Sequence, residues 1–351
     1  NHLGADRRGG ANDGGDGGSR EDQSVPMIET INLTKRYGEL VALDSLNLSI
    51  EAGDCFGFIG PNGAGKSTTI KILATLLKPS SGQAMVDGLT VGYQNRQIRP
   101  IIGYVPDFMG AYEDMVVTEY LEFFAACYNI NGAQRKKVVG DVLDLTDLNY
   151  KANAEVNGLS RGMQQRLSIA RVLLHDPKVL LMDEPASGLD PRARIEIREL
   201  LKELRRMGKT IIISSHILPE LGDLCNTVGI IERGQLLFSG TVQEAMRRAR
   251  VGNVVHVAVV DRTVQAAKLL QTMPGVARVT LTEAPAGTQG VTSNGHGDGR
   301  VINVHFDADA KTDVSDVPNL LVNNGYRILT FTEEAINLET AFMRLTKGAV
   351  Q

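Results

Sequence analysis

The segment GPNGAGKST, residues 60–68, holds the side chains that phosphate chemistry needs at the spacing it needs. Gly60, Gly63 and Gly65 allow backbone N–H groups to turn inward around phosphate oxygens. Lys66 can reach the β- and γ-phosphates of a nucleotide, and the Ser67 hydroxyl can ligate Mg²⁺. Pro61, Asn62, Ala64 and Thr68 complete the stretch and share the same nucleotide contact. An apolar run, CFGFIG, leads into it and a helical pattern leads out, which is the strand–loop–helix setting such a loop requires.

Further groups follow downstream. VLLMDEP sets Asp183 and Glu184 just past a buried strand, where ligands gather in open parallel sheets. Asp183 is placed to hold the Mg²⁺ shell, and Glu184 to orient and partly deprotonate a water in line with the γ-phosphate. TIIISSH ends a second strand on His216. A lone histidine is more often structural; here the order of phosphate loop, carboxylate pair and histidine points to a γ-phosphate contact. LSRGMQQR, residues 159–166, reads as a helix start capped by Ser160, and an exposed helix start attracts anions. The same octet also reads as a plain amphipathic helix packing through Met163, Leu167 and Ala170.

These groups need elements to hold them. Leu46, Leu48 and Ile50 alternate with polar residues, as in a half-buried strand. Ile70, Leu73, Leu76 and Leu77 recur at helical spacing and predict a helix from Gly65 to Leu77, stopped by Pro79. A mostly helical stretch spans 117–175, and a charged helix over 191–207 separates the strands VLLM and TIII. Strands alternating with helices argue for an α/β sheet with parallel members. A short helix over 242–250 closes this unit. The pattern βαββαβ follows, with a Gly/Ser/Asn-rich loop over 285–299 and a last helix over 337–346, and predicts a small α+β ferredoxin-like domain. The expected division is a disordered Gly-rich tail over 1–26, a nucleotide-binding domain over 27–245 and an accessory domain over 251–348.

The chain has 351 residues, a length suited to two domains. A net charge of −4 and a pI near 5.9 argue against a nucleic-acid partner, and Arg247, Arg248 and Arg250 read as a solvated helix face. Cys55, Cys127 and Cys225 are odd in number, lack metal spacing and fit a reducing cytosol. No apolar run approaches the roughly 18 residues that span a bilayer, so any service to a membrane goes through a partner.

Taken together, GPNGAGKST, LSRGMQQR, VLLMDEP, SGLD (187–190) and SSH resemble the ATP-binding cassette (ABC) family in order and spacing, over about 27–240. The resemblance implies a P-loop ATPase of ABC type, with a mixed-sheet core, a helical subdomain, and ATP and Mg²⁺ as cofactors. It is closer to the ATPase subunits of bacterial exporters for drugs, sodium, antibiotics or polysaccharides. In these the ATPase is a separate chain, cytoplasmic and peripheral on the inner membrane face, bound to an integral-membrane permease. The resemblance also implies a head-to-tail pair with a second copy, or with a paralogous ATPase. Ser160, Arg161 and the backbone of Gly162 would then bind the γ-phosphate held by the other subunit, and Asp190 would sit across the same seam. Tyr37, in KRYGEL, falls where the family stacks an aromatic on adenine.

Departures from the family pattern stand out. Arg161 and Met163 replace the Gly and Gln of the commonest LSGGQ form. Asp107, in YVPDFMG, stands where most members have a Gln. Its carboxylate either ligates Mg²⁺ or turns away to serve the permease interface, which residues 106–118 would border. An ATP-driven switch acting on ribosomes or DNA is the competing class; single-cassette length, no long insertion and no basic patch favour transport. No N-K-x-D motif supports a GTPase.

Overall fold

The computed structural model describes residues 25–107, 109–110, 114–216, 218–249, 254–283, 299–307, 313–333 and 342–343. The expected tail, the loop over 285–299 and the last helix lie almost wholly outside the described residues.

The chain opens with a long hairpin, β1 (Ile28–Tyr37) and β2 (Leu40–Ile50), followed by β3 (Cys55–Ile59), the glycine loop and α1 (Lys66–Leu73). Next come β4 (Ser81–Val86), β5 (Leu89–Thr90), α2 (Asn95–Ile98) and β6 (Ile102–Val105). The helical block holds α3 (Val117–Cys127), α4 (Gly132–Leu145) and α5 (Arg161–Leu173). The chain returns through β7 (Val179–Asp183), α6 (Pro191–Arg206), β8 (Thr210–Ser215), α7 (Leu218–Leu224), β9 (Thr227–Glu232), β10 (Gln235–Thr241) and α8 (Val242–Ala249).

The central sheet runs β10-β9-β3-β8-β7-β6, parallel from β9 to β6 with β10 antiparallel at one edge. A second sheet, β2-β1-β4-β5, is antiparallel. The central strands are apolar on both faces because both are covered. Leu180, Met182, Ile211 and Ile213 join a core with the helical block, whereas Val179, Leu181 and Ile212 join a second core with Phe56, Phe58, Ile70 and Leu73 of β3 and α1. This arrangement sets the carboxyl ends of β3, β7 and β8 side by side.

The helix after the glycine loop is shorter than its periodicity predicts. It ends at Leu73, and Leu76 is largely exposed. Thr75 takes a left-handed conformation (φ +62°), with Leu76 N–H bonded to Lys71 O and Thr75 N–H to Ile72 O at 2.9 Å each. This is a Schellman stop, with Thr at the position glycine usually fills. Cys55 and Cys225, remote in sequence, meet as free buried thiols with Sγ atoms 3.6 Å apart.

The C-terminal part holds β11 (Val254–Val259), α9 (Thr263–Gln271), β12 (Val276–Glu283), β13 (Arg300–Phe306), α10 (Asp316–Asn323) and β14 (Ile328–Glu333), in the expected βαββαβ order. Its antiparallel sheet runs β12-β13-β11-β14 over a core that includes Val257, Leu270, Ile302 and Leu321. Phe342 packs against the core of the helical block.

Candidate nucleotide site

The glycine loop joins β3 to α1 through Gly65, whose φ of +111° is open only to glycine; a Cβ there would stand 2.7 Å from Ala42 O. No side chain caps α1, so its first-turn N–H groups remain available to an anion. Lys66 is buried and donates from Nζ to Gly60 O at 2.6 Å and Pro61 O at 3.1 Å, bracing the loop from within. Burial lowers its ammonium below the ordinary lysine value, while Glu184 and Asp183 pull it back up.

Ser67 Oγ donates to Asp183 Oδ1 at 2.8 Å, which ties the start of α1 to the end of β7. Ser214 Oγ donates to the same oxygen at 2.7 Å and accepts from the Glu184 N–H at 3.0 Å. Ser214 therefore holds the Asp183 carboxylate and the Glu184 backbone at once. Sequence reasoning assigned it no role; its one signal is a pair of serines closing an otherwise isoleucine-rich strand. Glu184 has φ +50°, an uncommon conformation for a residue with a Cβ, which turns its side chain out of the strand direction. Its Oε2 lies 2.7 Å from His216 Nδ1 and its Oε1 3.8 Å from Lys66 Nζ. A carboxylate only accepts, so Nδ1 is the donor in that contact.

Around these groups lies a cleft of about 380 Å³ lined by Tyr37, Leu40, Ala42, residues 62–68, Asp107, Glu184, Ser187 and His216. Gly60, Pro61 and Asp183 do not line it; they stand behind it, holding Lys66 and Ser67. Tyr37 is half-exposed at the rim, with Lys35 Nζ 5.1 Å from its ring centroid. The negative field behind the cleft reaches Tyr104, whose phenol is pushed up to about 12 by burial first and then by Asp183 and Asp107.

The remaining expected residues lie elsewhere. Ser160 caps α5, accepting from Met163 N–H at 3.3 Å, and Asp190 caps α6, accepting from Ala193 N–H at 2.9 Å. Arg161 borders a neighbouring cavity of about 200 Å³ with Asp107, Met109, Gln164 and Gln165. Asp107 thus faces both the cleft and this second cavity.

The sequence profile of the ABC transporter family matches residues 43–187, from β2 to the segment after Glu184. The Nod factor export ATP-binding protein I of Ralstonia nicotianae is 38% identical over 234 residues, 67% of this chain and 73% of that protein. The chain belongs to the ABC transporter family. The linearmycin resistance ATP-binding protein LnrL of Bacillus subtilis is 34% identical over 66% of this chain and 75% of its own length. Among solved structures, an ATP binding subunit of an ABC transporter aligns with a TM-score of 0.58 at 28% identity, covering 63% of this chain and 92% of its own. A dimeric, post-hydrolysis ATP-binding cassette bound to ADP and Pi aligns at 0.55 and 29% identity, over 61% of this chain and 98% of its own. As a member of this family the chain is an ATP-binding and ATP-hydrolysing subunit. Among the described residues no helix is long and apolar enough to cross a membrane.

Proposed function

We propose that this chain energises a membrane exporter by ATP-driven, head-to-tail dimerisation, held on the cytoplasmic face by an integral-membrane permease. The observation that carries the reading is one cleft on which Lys66, Ser67, Glu184 and His216 converge from three strand ends, with Asp183 bonded to Ser67 just behind it. The relatives' names include export and antibiotic resistance. A similar solved protein, cbiO1 of Clostridium perfringens (29% identity, TM-score 0.56), is part of the ABC transporter complex cbiONQ.

In this reading Tyr37 stacks on adenine, and the N–H groups of residues 62–68 cradle the phosphates. Lys66 exchanges its carbonyl partners for β- and γ-phosphate oxygens. The Ser67 hydroxyl and Asp183 carboxylate are hard oxygen donors 2.8 Å apart, and they fit Mg²⁺. Once bound, that ion supplies charge neutralisation at the phosphates. Glu184 orients the attacking water and accepts its proton, and His216 holds the carboxylate in place beside the γ-phosphate. Ser160, Arg161 and Gly162 of one copy complete the site of the other, with Asp190 on the same edge. The cassette is assigned to 27–245 and the accessory ferredoxin-like unit to 251–348.

The Glu184→Gln protein tests this. It keeps the shape of the side chain but loses the base, so ATP binding persists, turnover falls by about 100-fold or more, and an ATP-loaded dimer accumulates on size exclusion. Turnover at the wild-type rate refutes the role of Glu184.

A further inference from the structure

LSRGMQQR (159–166) and SGLD (187–190), the loop before α6, are separated by 21 positions at their nearest ends, yet the structure locks them together. Ser160 and Asp190 each cap a helix, α5 and α6. Those helices touch near their starts so closely that a Cβ on Gly162 would stand 2.6 Å from Ala193 Cβ. The Arg161 guanidinium lies over Gly188 there; a Cβ on that glycine would meet Nη1 at 2.5 Å.

One turn further along both helices sits Arg166, 5% exposed. Its Nη1 donates to Thr146 O at 3.2 Å, Asp147 O at 3.1 Å and Asp147 Oδ2 at 3.3 Å, all at the end of α4. Its Nη2 stands 3.5 Å from Glu196 Oε2 on α6. One planar cation thus bolts α5 to the helices on either side. The fork suits it: carbonyls at a helix C-terminus attract a cation, and the second nitrogen reaches a carboxylate in another direction. Burying a charge is costly, and an apolar side chain of similar volume often packs as well, so the gain lies in fixed geometry.

We infer that Arg166 is a positioning residue: it makes LSRGMQQR and the SGLD loop a single rigid edge, so that Ser160 meets a partner's nucleotide while Asp190 meets the partner along the same seam. Arg166 touches no nucleotide, and its effect appears only when two copies close. The inference rests on the head-to-tail reading above.

The experiment compares Arg166→Lys, Arg166→Met and Glu196→Gln, each alone and in the Glu184→Gln background. Binding of a fluorescent ATP analogue reports the phosphate loop, sedimentation with ATP reports dimerisation, and steady-state assays separate kcat from KM. Losing charge-assisted hydrogen bonds that hold this edge corresponds to about a tenfold change. The Arg166 variants therefore keep analogue affinity within about twofold while dimer Kd rises and kcat falls by about tenfold. Glu196→Gln, on a partly exposed helix face, gives the same pattern at about threefold, and its effect is lost in the Arg166→Met, Glu196→Gln double variant, where the cation is already gone. Folded Arg166 variants that dimerise and turn over like wild type overturn the inference. If both Arg166 variants fail to fold, Glu196→Gln decides, and unchanged dimer Kd and kcat overturn it equally. If the Glu184→Gln parent itself does not dimerise with ATP, the functional reading falls first and this inference with it.

Discussion

At Ser214 a single hydroxyl ties two neighbouring acidic residues to one strand end. It donates to Asp183 and accepts from the Glu184 N–H, so it sets the direction of one carboxylate and the backbone of the next. Replacing it with Ala leaves the Glu184 N–H one bond, to Ser214 O at 3.2 Å, and frees Asp183 to rotate about its remaining donor, Ser67. Ser214→Ala should lower kcat by about tenfold, the value of one charge-assisted hydrogen bond, with a smaller change in nucleotide affinity. Steady-state kinetics beside nucleotide titration checks this; an unchanged kcat removes Ser214 from the site. The phosphate loop was legible because its parts are consecutive and Lys66 and Ser67 have no other reason to stand at that spacing. Ser214 was not, because its meaning comes from register: it pairs with Asp183 across β7 and β8, and no local pattern specifies which residues of two apolar strands face each other.

At the scale of elements, periodicity read type better than extent. The central strands and the helical block were legible from apolar runs and helical spacing, and βαββαβ was legible from turn signals. The end of α1 was not, since Leu76 and Leu77 continue the helical spacing while Thr75 takes the left-handed stop. Nor was the junction at His175, which follows α5 and reaches β6. Its Nε2 lies 2.9 Å from Ile102 O, so Nε2 carries the proton, and its ring stacks on Tyr128 of α3's end at 4.2 Å. Its Nδ1 is buried with no partner among the described residues. Burial lowers the His175 pKa from its ordinary value of about 6.5; the Ile102 carbonyl and Asp176 oppose this and Lys209 adds to it. Well above pH 6.5, at about pH 7.5, neither state is protonated and the full stability is present. Below it the unfolded chain takes up the proton first, so stability falls until the lower folded value is passed. Urea midpoints should therefore drop between about pH 7.5 and pH 5.5, and drop less in His175→Phe. An equal drop in both proteins removes His175 from the acid sensitivity of the fold.

At the scale of the whole molecule, the decisive feature is what the cleft of a single copy holds. Lys66, Ser67, Glu184 and His216 line it, while Ser160 and Asp190 cap helices away from it. If the Ser160 cap serves a neighbour's γ-phosphate, with Asp190 on the same seam, activity belongs to the pair. Specific activity should then rise with protein concentration and level off as the dimer fills, whereas a self-sufficient copy gives a rate per molecule that dilution does not change. Mixing two crippled chains makes the test sharper. Ser160→Asp keeps the helix cap, because Asp caps as well as Ser, yet sets a negative charge against the phosphate. Glu184→Gln keeps its own Ser160 intact. Each is nearly inactive alone, but a mixed pair contains one site built from a working Glu184 on one copy and a working Ser160 on the other. With free exchange, half the pairs are mixed and half their sites are whole, so an equal mixture should regain about one quarter of wild-type activity. A Ser160 that acted on its own copy's nucleotide would leave every site in that mixture defective, and the mixture would stay inactive.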